Sequence, residues 1–305
     1  MPRIRYCNTP AGRVAYSTTG AGPALLFDSG WITDLRGQLE LFFFAAFVER
    51  LAERFTVIRY DKPGCGLSDR DGIDLSFDGQ VAAALAVADA VGAGRFRLFG
   101  ASQGGQLAVA VAARHPDRVE ALALYGMCAS GRDLAPAEVR KSIVALVRAH
   151  WGLGLKALAG TFITDPTAED LAGFTRFQRA SASAEVAARL LEVYYETDVR
   201  DLLPLVRART AVLHREADRG TPFELGREVA ALIPGATLIP LPGALVPLAV
   251  QDRRPRPDRG KQIPDVGVVV DLQEPGGHGG RGARPLKPGE IGQVLGGGIG
   301  DEGAG

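Results

Sequence analysis

The chain has 305 residues, 46% of them hydrophobic and 23% charged, enough for a sizeable core in one large domain or a domain with an insertion. Lys+Arg and Asp+Glu are equal at 35 each, so the charge balance creates no global attraction for nucleic acid or an anionic membrane. The apolar runs fall short of a membrane span, the N-terminus lacks a secretory signal pattern, and the three cysteines have neither disulfide nor metal spacing, which predicts a reduced, cytoplasmic protein.

In chain order, 4–9 and 13–20 predict an opening hairpin, and the apolar run 23–30 a buried strand. Residues 36–55 predict an amphipathic helix, 56–61 a strand, and the glycines of "KPGCGLSD" a loop. A helix over 76–93 follows, with Ser76 as its cap, then a strand over 95–100, a helix over 103–116 stopped by Pro116, and a strand over 119–126. Three helical patterns fill 136–204 before the next strand at 210–216, a helix at 222–235 and a last strand at 236–243. Such alternation requires a mostly parallel sheet with helices on both faces. The predicted organisation is an α/β core from 1–130 and 205–243, a helical cap insertion at 131–204, and a Gly/Pro-rich tail at 244–305. That tail holds no aromatic residue, and 15 of the 39 glycines lie in 251–305, so it is expected to be disordered. Its composition is also that of an out-of-frame reading of a GC-rich gene. Dinucleotide binding by its "GGGIGDEG" is not supported, because no strand precedes those glycines.

Gly100–Ala101–Ser102–Gln103–Gly104 is a G-x-S-x-G sequence between a buried strand and a helix. In that setting the serine occupies a strained turn with its hydroxyl thrust outward, and glycine is needed two residues to either side because the chain approaches itself closely. The helix that follows aims free N–H groups at developing negative charge, which makes the amide of Gln103 a candidate oxyanion donor. A serine hydroxyl still needs a base to take its proton.

Over residues 3–243 the chain resembles the α/β-hydrolase family, through "DSGW", "RYDKPGCGLSD", "GASQGG", "AARHPDRVEALALYG" and "VLHREADRGTPFELGREVAALIPGATLIPLPG". It is similar to a bacterial subgroup whose members occur alone or fused to adenylate-cyclase or regulatory modules. The resemblance implies Ser102 as nucleophile, Asp218 as the acid of a triad, and Trp31, after Gly30, as the second oxyanion amide. Asp28 and Ser29 depart from the His or Pro expected before that glycine, and a carboxylate there would oppose an oxyanion.

The family's histidine belongs just past the last strand, where this chain has Val246. Val246 can neither accept a proton nor be oriented by Asp218. Of the four histidines, His115 lies a helix length from Ser102, roughly 20 Å by helical rise. His214 on the strand before Asp218 reads as structural, and nothing positions His150 in the insertion. His278 is the histidine that follows Asp218, yet it stands in the glycine-rich "EPGGHGGRG". The base is therefore unassigned. Asp61 and Asp69 read as structural or exposed, and Cys65 as a small half-buried side chain. The expected function is a serine hydrolase of an ester, lactone or amide of a small molecule, impaired by the missing base, with no cofactor and no metal. The alternative is a non-catalytic ligand-binding or regulatory protein of the same fold. Haloalkane dehalogenation is disfavoured by Ser102 at the elbow, where that chemistry uses a carboxylate.

Overall fold

The computed structural model describes residues 3–154 and 168–244. The predicted tail, with Val246 and His278, lies outside the described residues.

The strands are β1 (Arg5–Thr9), β2 (Gly12–Thr19), β3 (Ala24–Asp28), β4 (Thr56–Tyr60), β5 (Phe96–Ala101), β6 (Val119–Tyr125), β7 (Arg209–Ala217) and β8 (Thr237–Ala244). They form one sheet in the order β1-β2-β4-β3-β5-β6-β7-β8. The β1–β2 hairpin runs antiparallel at one edge, and all pairs from β4 to β8 are parallel. The helices are α1 (Gly37–Glu40), α2 (Phe42–Ala52), α3 (Phe77–Ala90), α4 (Gln103–Arg114), α5 (Ala137–Ala149), α6 (Ala168–Ser181), α7 (Ala184–Glu196) and α8 (Phe223–Leu232).

The two-residue period of the strands sorts the core onto two faces. Leu26, Ile58, Leu98, Leu122 and Val212 pack with α3, α4 and α8. Their neighbours Leu25, Phe27, Val57, Phe99 and Leu213 pack with Phe44, Val48 and Leu51 of α2. Helices thus cover both faces, as the alternation in the sequence requires. Ser76 caps α3, its hydroxyl accepting from Gly79 N at 3.0 Å.

The single helix expected over 36–55 is two helices, because Leu41 is extended (φ −79°, ψ 106°). The Asp34 carboxylate accepts from Arg36 N and Gly37 N at the start of α1. Leu41 packs with Phe174 and Phe177 of α6, so a contact made across some 130 residues overrides a continuous helical pattern. Strand β8 contains Pro240 and Pro242, which an edge strand tolerates because one of its sides needs no N–H donors. The helical insertion between β6 and β7 packs through Val144, Val147, Leu190, Leu191, Tyr194 and Tyr195 onto Trp31, Ile32, Cys65 and Cys128. These last four follow the C-terminal ends of β3, β4 and β6, so the insertion roofs the end of the sheet where chemistry resides in such folds.

Candidate active site

Strand β5 ends at Ala101 and α4 begins at Gln103, leaving Ser102 alone in the turn at φ 52°, ψ −124°. It is the one non-glycine residue at positive φ among the described residues. Such a backbone is costly for an L-residue and persists only where its surroundings hold it. Ser102 N donates to Tyr125 O at 2.9 Å, and Ser102 O accepts from Gly105 N at 2.9 Å. A Cβ at Gly100 would lie 2.5 Å from Gly104 O. At Gly104 it would lie 2.4 Å from Asp28 Oδ1. The first glycine is thus demanded by the turn itself, as expected, whereas the second is demanded by Asp28. A third, Gly105, makes room for Met127, whose Cβ would be 2.7 Å from an added Cβ. Gln103 is the first residue of α4, where the geometry of a helix leaves its N–H without an intrahelical acceptor.

Asp28 pairs with Gly100 across β3 and β5, which sets the loop carrying Gly30 and Trp31 beside the elbow. The Asp28 carboxylate is fully buried. It accepts from Tyr60 Oη at 2.6 Å and Gly30 N at 3.4 Å, and pairs with Lys62 Nζ at 3.1 Å. Lys62 is itself buried and donates from Nζ to Gln103 Oε1 at 3.0 Å. The Gln103 amide donates on to Gln80 Oε1 at 3.4 Å. The opposition to an oxyanion expected of Asp28 is therefore answered by a buried ammonium, and the pair braces the residue after Ser102. Burial together with the Asp28 charge pushes the Tyr60 phenol well above its ordinary range, so Tyr60 stays a donor. Sequence reading passed over Lys62, because a lysine in a glycine loop is by default exposed. Asp61 is structural, as expected, but buried rather than solvated. It accepts from Leu35 N at 2.7 Å and Leu67 N at 2.8 Å, and burial raises its pKa to about 7. Asp69 pairs with Arg13 at the surface. Cys65 is fully buried rather than half-buried, and burial pushes its thiol up to about 12, far from a reactive thiolate.

Leu213 of β7, Tyr125 of β6 and Ala101 of β5 stand in register, so Ser102 and the loop after β7 emerge from the same edge, with one strand between them. Asp218 is in that loop. Its Oδ1 accepts from Gly220 N at 2.8 Å and Thr221 N at 2.9 Å. Its Oδ2 is buried without a hydrogen-bond partner among the described residues. Burial raises the carboxyl pKa above its ordinary value, against those two backbone bonds. His214 Nε2 donates to Thr221 O at 2.8 Å and lies 3.8 Å from Asp218 Oδ2, beyond a hydrogen bond. His214 is thus committed to the loop, in the structural role expected. His150 is exposed and accepts Leu153 N at Nδ1, 3.2 Å, closing a local turn. His115 ends α4. The recorded partner of Ser102 Oγ is none of these but Tyr194 Oη of α7, at 3.4 Å.

The geometry is matched by the comparisons. Residues 23–151 fit the family model described as alpha/beta hydrolase fold. A pimeloyl-[acyl-carrier protein] methyl ester esterase of Chromobacterium violaceum is 32% identical over 239 residues, 74% of this chain and 88% of that protein. The chain belongs to the alpha/beta hydrolase fold family. A second relative in that family is a 2-hydroxy-6-oxononadienedioate/2-hydroxy-6-oxononatrienedioate hydrolase of Burkholderia vietnamiensis, 28% identical over 77% of this chain and 82% of its own length. Among solved structures, the enol-lactonase of Burkholderia xenovorans superposes with a TM-score of 0.68 at 25% identity, over 78% of this chain and 91% of its own. Among the described residues there is no His/Cys/Asp/Glu group fit to hold a metal ion, and no helix long and apolar enough to cross a membrane.

Proposed function

We propose that this alpha/beta hydrolase is a serine hydrolase of small-molecule esters, with lactones and amides as the neighbouring chemistries, whose turnover is impaired by the lack of a base. Ser102 is the nucleophile, the amides of Gln103 and Trp31 receive the oxyanion, Gly100 and Gly104 permit the elbow, and Asp218 is the acid meant to orient an imidazole. The observation that carries this reading is the Ser102 backbone at φ 52°, held at the start of α4. That strained turn puts the hydroxyl where helix N–H groups can answer negative charge. The names of the esterase and enol-lactonase relatives support an acyl substrate. The domain division at 131 and 204, a cytoplasmic setting, a small-molecule ligand and independence of cofactors complete the proposal.

The second reading, a ligand-binding protein without turnover, is favoured by Asp218 Oδ2, which has no hydrogen-bond partner among the described residues. In a working triad that oxygen accepts from the histidine N–H, and Val246 stands at the position expected for the histidine. A fluorophosphonate probe at pH 8 separates the cases. Labelling of the natural chain or of Val246→His that Ser102→Ala abolishes supports the hydrolase, and absence of labelling from both overturns it. Val246→His is expected to raise p-nitrophenyl butyrate hydrolysis by about 10² or more, the usual contribution of a placed general base. An unchanged rate would remove Val246 as the vacant position.

A further inference from the structure

Tyr194, in the helical insertion, stands beside the elbow. Helix α7 turns Ala187, Leu190, Leu191 and Tyr194 inward at helical spacing and is capped at its start by Ser183, whose hydroxyl accepts from Val186 N. The phenol is buried, and its ring stacks on Tyr195 at 6.1 Å. Its hydroxyl has two recorded neighbours: Ser102 Oγ at 3.4 Å and Cys128 Sγ at 3.8 Å. The first is longer than the 2.5–3.0 Å of a sound O–H···O bond and the second involves a weak sulfur partner. Both contacts are weak, so a better acceptor brought to the elbow would compete for this hydroxyl. The ring belongs to an apolar cluster with Trp31, Ile32, Cys65, Leu190 and Leu191. Burial pushes the phenol pKa well above its ordinary value, so the group keeps its proton and serves as a donor, never as the missing base.

A carbon under attack sits about 3–3.5 Å from the serine oxygen. On the proposed reading its carbonyl oxygen belongs to the amides of Gln103 and Trp31. The other oxygen of an ester is then the one within reach of a hydroxyl 3.4 Å from Ser102 Oγ. We propose that the Tyr194 hydroxyl is a substrate-binding group that donates to the alkoxy oxygen of a small oxygen ester, so that the site favours oxygen esters over thioesters. The inference rests on Ser102 as nucleophile. It concerns binding of that oxygen before any bond breaks. A thioester sulfur accepts hydrogen bonds poorly and would leave the phenol unmet.

The test uses the full chain and Tyr194→Phe, which deletes one oxygen and keeps the ring. Butylboronic acid adds to a serine oxygen as a tetrahedral boronate with two hydroxyls, one in the oxyanion position and one in the alkoxy position. An alkyl trifluoromethyl ketone forms an adduct with one oxygen, for the oxyanion position alone. Tyr194→Phe is expected to weaken the boronic acid about tenfold, one hydrogen bond's worth, and to leave the ketone unchanged. Equal weakening of both, no change in either, or no measurable boronic acid binding by a natural chain that fluorophosphonate labels at Ser102 would overturn the inference. Absence of fluorophosphonate labelling from both the natural chain and Val246→His would instead overturn the hydrolase reading. Thermal unfolding of Tyr194→Phe close to the natural chain's excludes a folding defect as the cause.

Discussion

Two corners of the same sheet edge are built to opposite standards. Under the elbow, Asp28 has Tyr60, Gly30 and Lys62 as partners, and Lys62 in turn holds Gln103, so a buried charge pair is closed off with its bonds made. In the loop after β7, Asp218 satisfies Oδ1 with two backbone amides while Oδ2 is buried without a partner among the described residues. Polar groups buried at this depth are ordinarily paired, because each orphan costs about 1–3 kcal/mol. The first corner therefore reads as a finished support for the nucleophile, and the second as a socket shaped for a donor. On the proposed reading, the element the site lacks is the base, and the support beneath Ser102 is complete.

The strongest way to break the comparison is to unbalance the finished corner. Lys62→Met leaves the Asp28 carboxylate buried and uncompensated and is expected to cost about 3–5 kcal/mol in urea unfolding. Adding Asp28→Asn to that variant should recover part of the loss. A cost below about 1 kcal/mol would show that the pair does not brace the elbow.

Next in size is a pH effect in the same loop. Burial holds Asp61 at about 7, against 3.8 for the ordinary side chain, so between those values the folded chain keeps a proton that the unfolded chain gives up. The stability this confers is full below the unfolded value and is lost as pH rises to about 7, on the order of 4 kcal/mol. Asp61→Asn should flatten that slope in unfolding curves taken from pH 4 to 8. A slope that survives the substitution would assign the effect elsewhere.

The smallest expected effect sharpens the other corner. At pH 8 Asp218→Asn removes a buried charge whose Oδ2 has no partner among the described residues, while its carbonyl can still accept from Gly220 N and Thr221 N. A gain of about 1 kcal/mol in unfolding free energy is expected, as for groups kept for chemistry at the expense of stability. A loss would show that Oδ2 has a partner in the folded chain.

Local pattern carried much of this protein. Alternating apolar runs and helical periods determined a parallel sheet with helices on both faces, and G-x-S-x-G between a strand and a helix determined the elbow, because both signals depend on neighbouring residues and on the fixed periods of 2 and 3.6. The resemblance of "VLHREADRG" pointed to Asp218. Tertiary structure alone decided the rest. That α1 and α2 break at Leu41 depends on Phe174 and Phe177. That Asp28 is neutralised depends on Lys62, 34 positions on, and that the elbow hydroxyl faces Tyr194 depends on a helix 92 positions away. Sequence periodicity says which face of an element is apolar, but not which distant side chain that face will meet. Partners of buried charges and hydroxyls are set by those meetings.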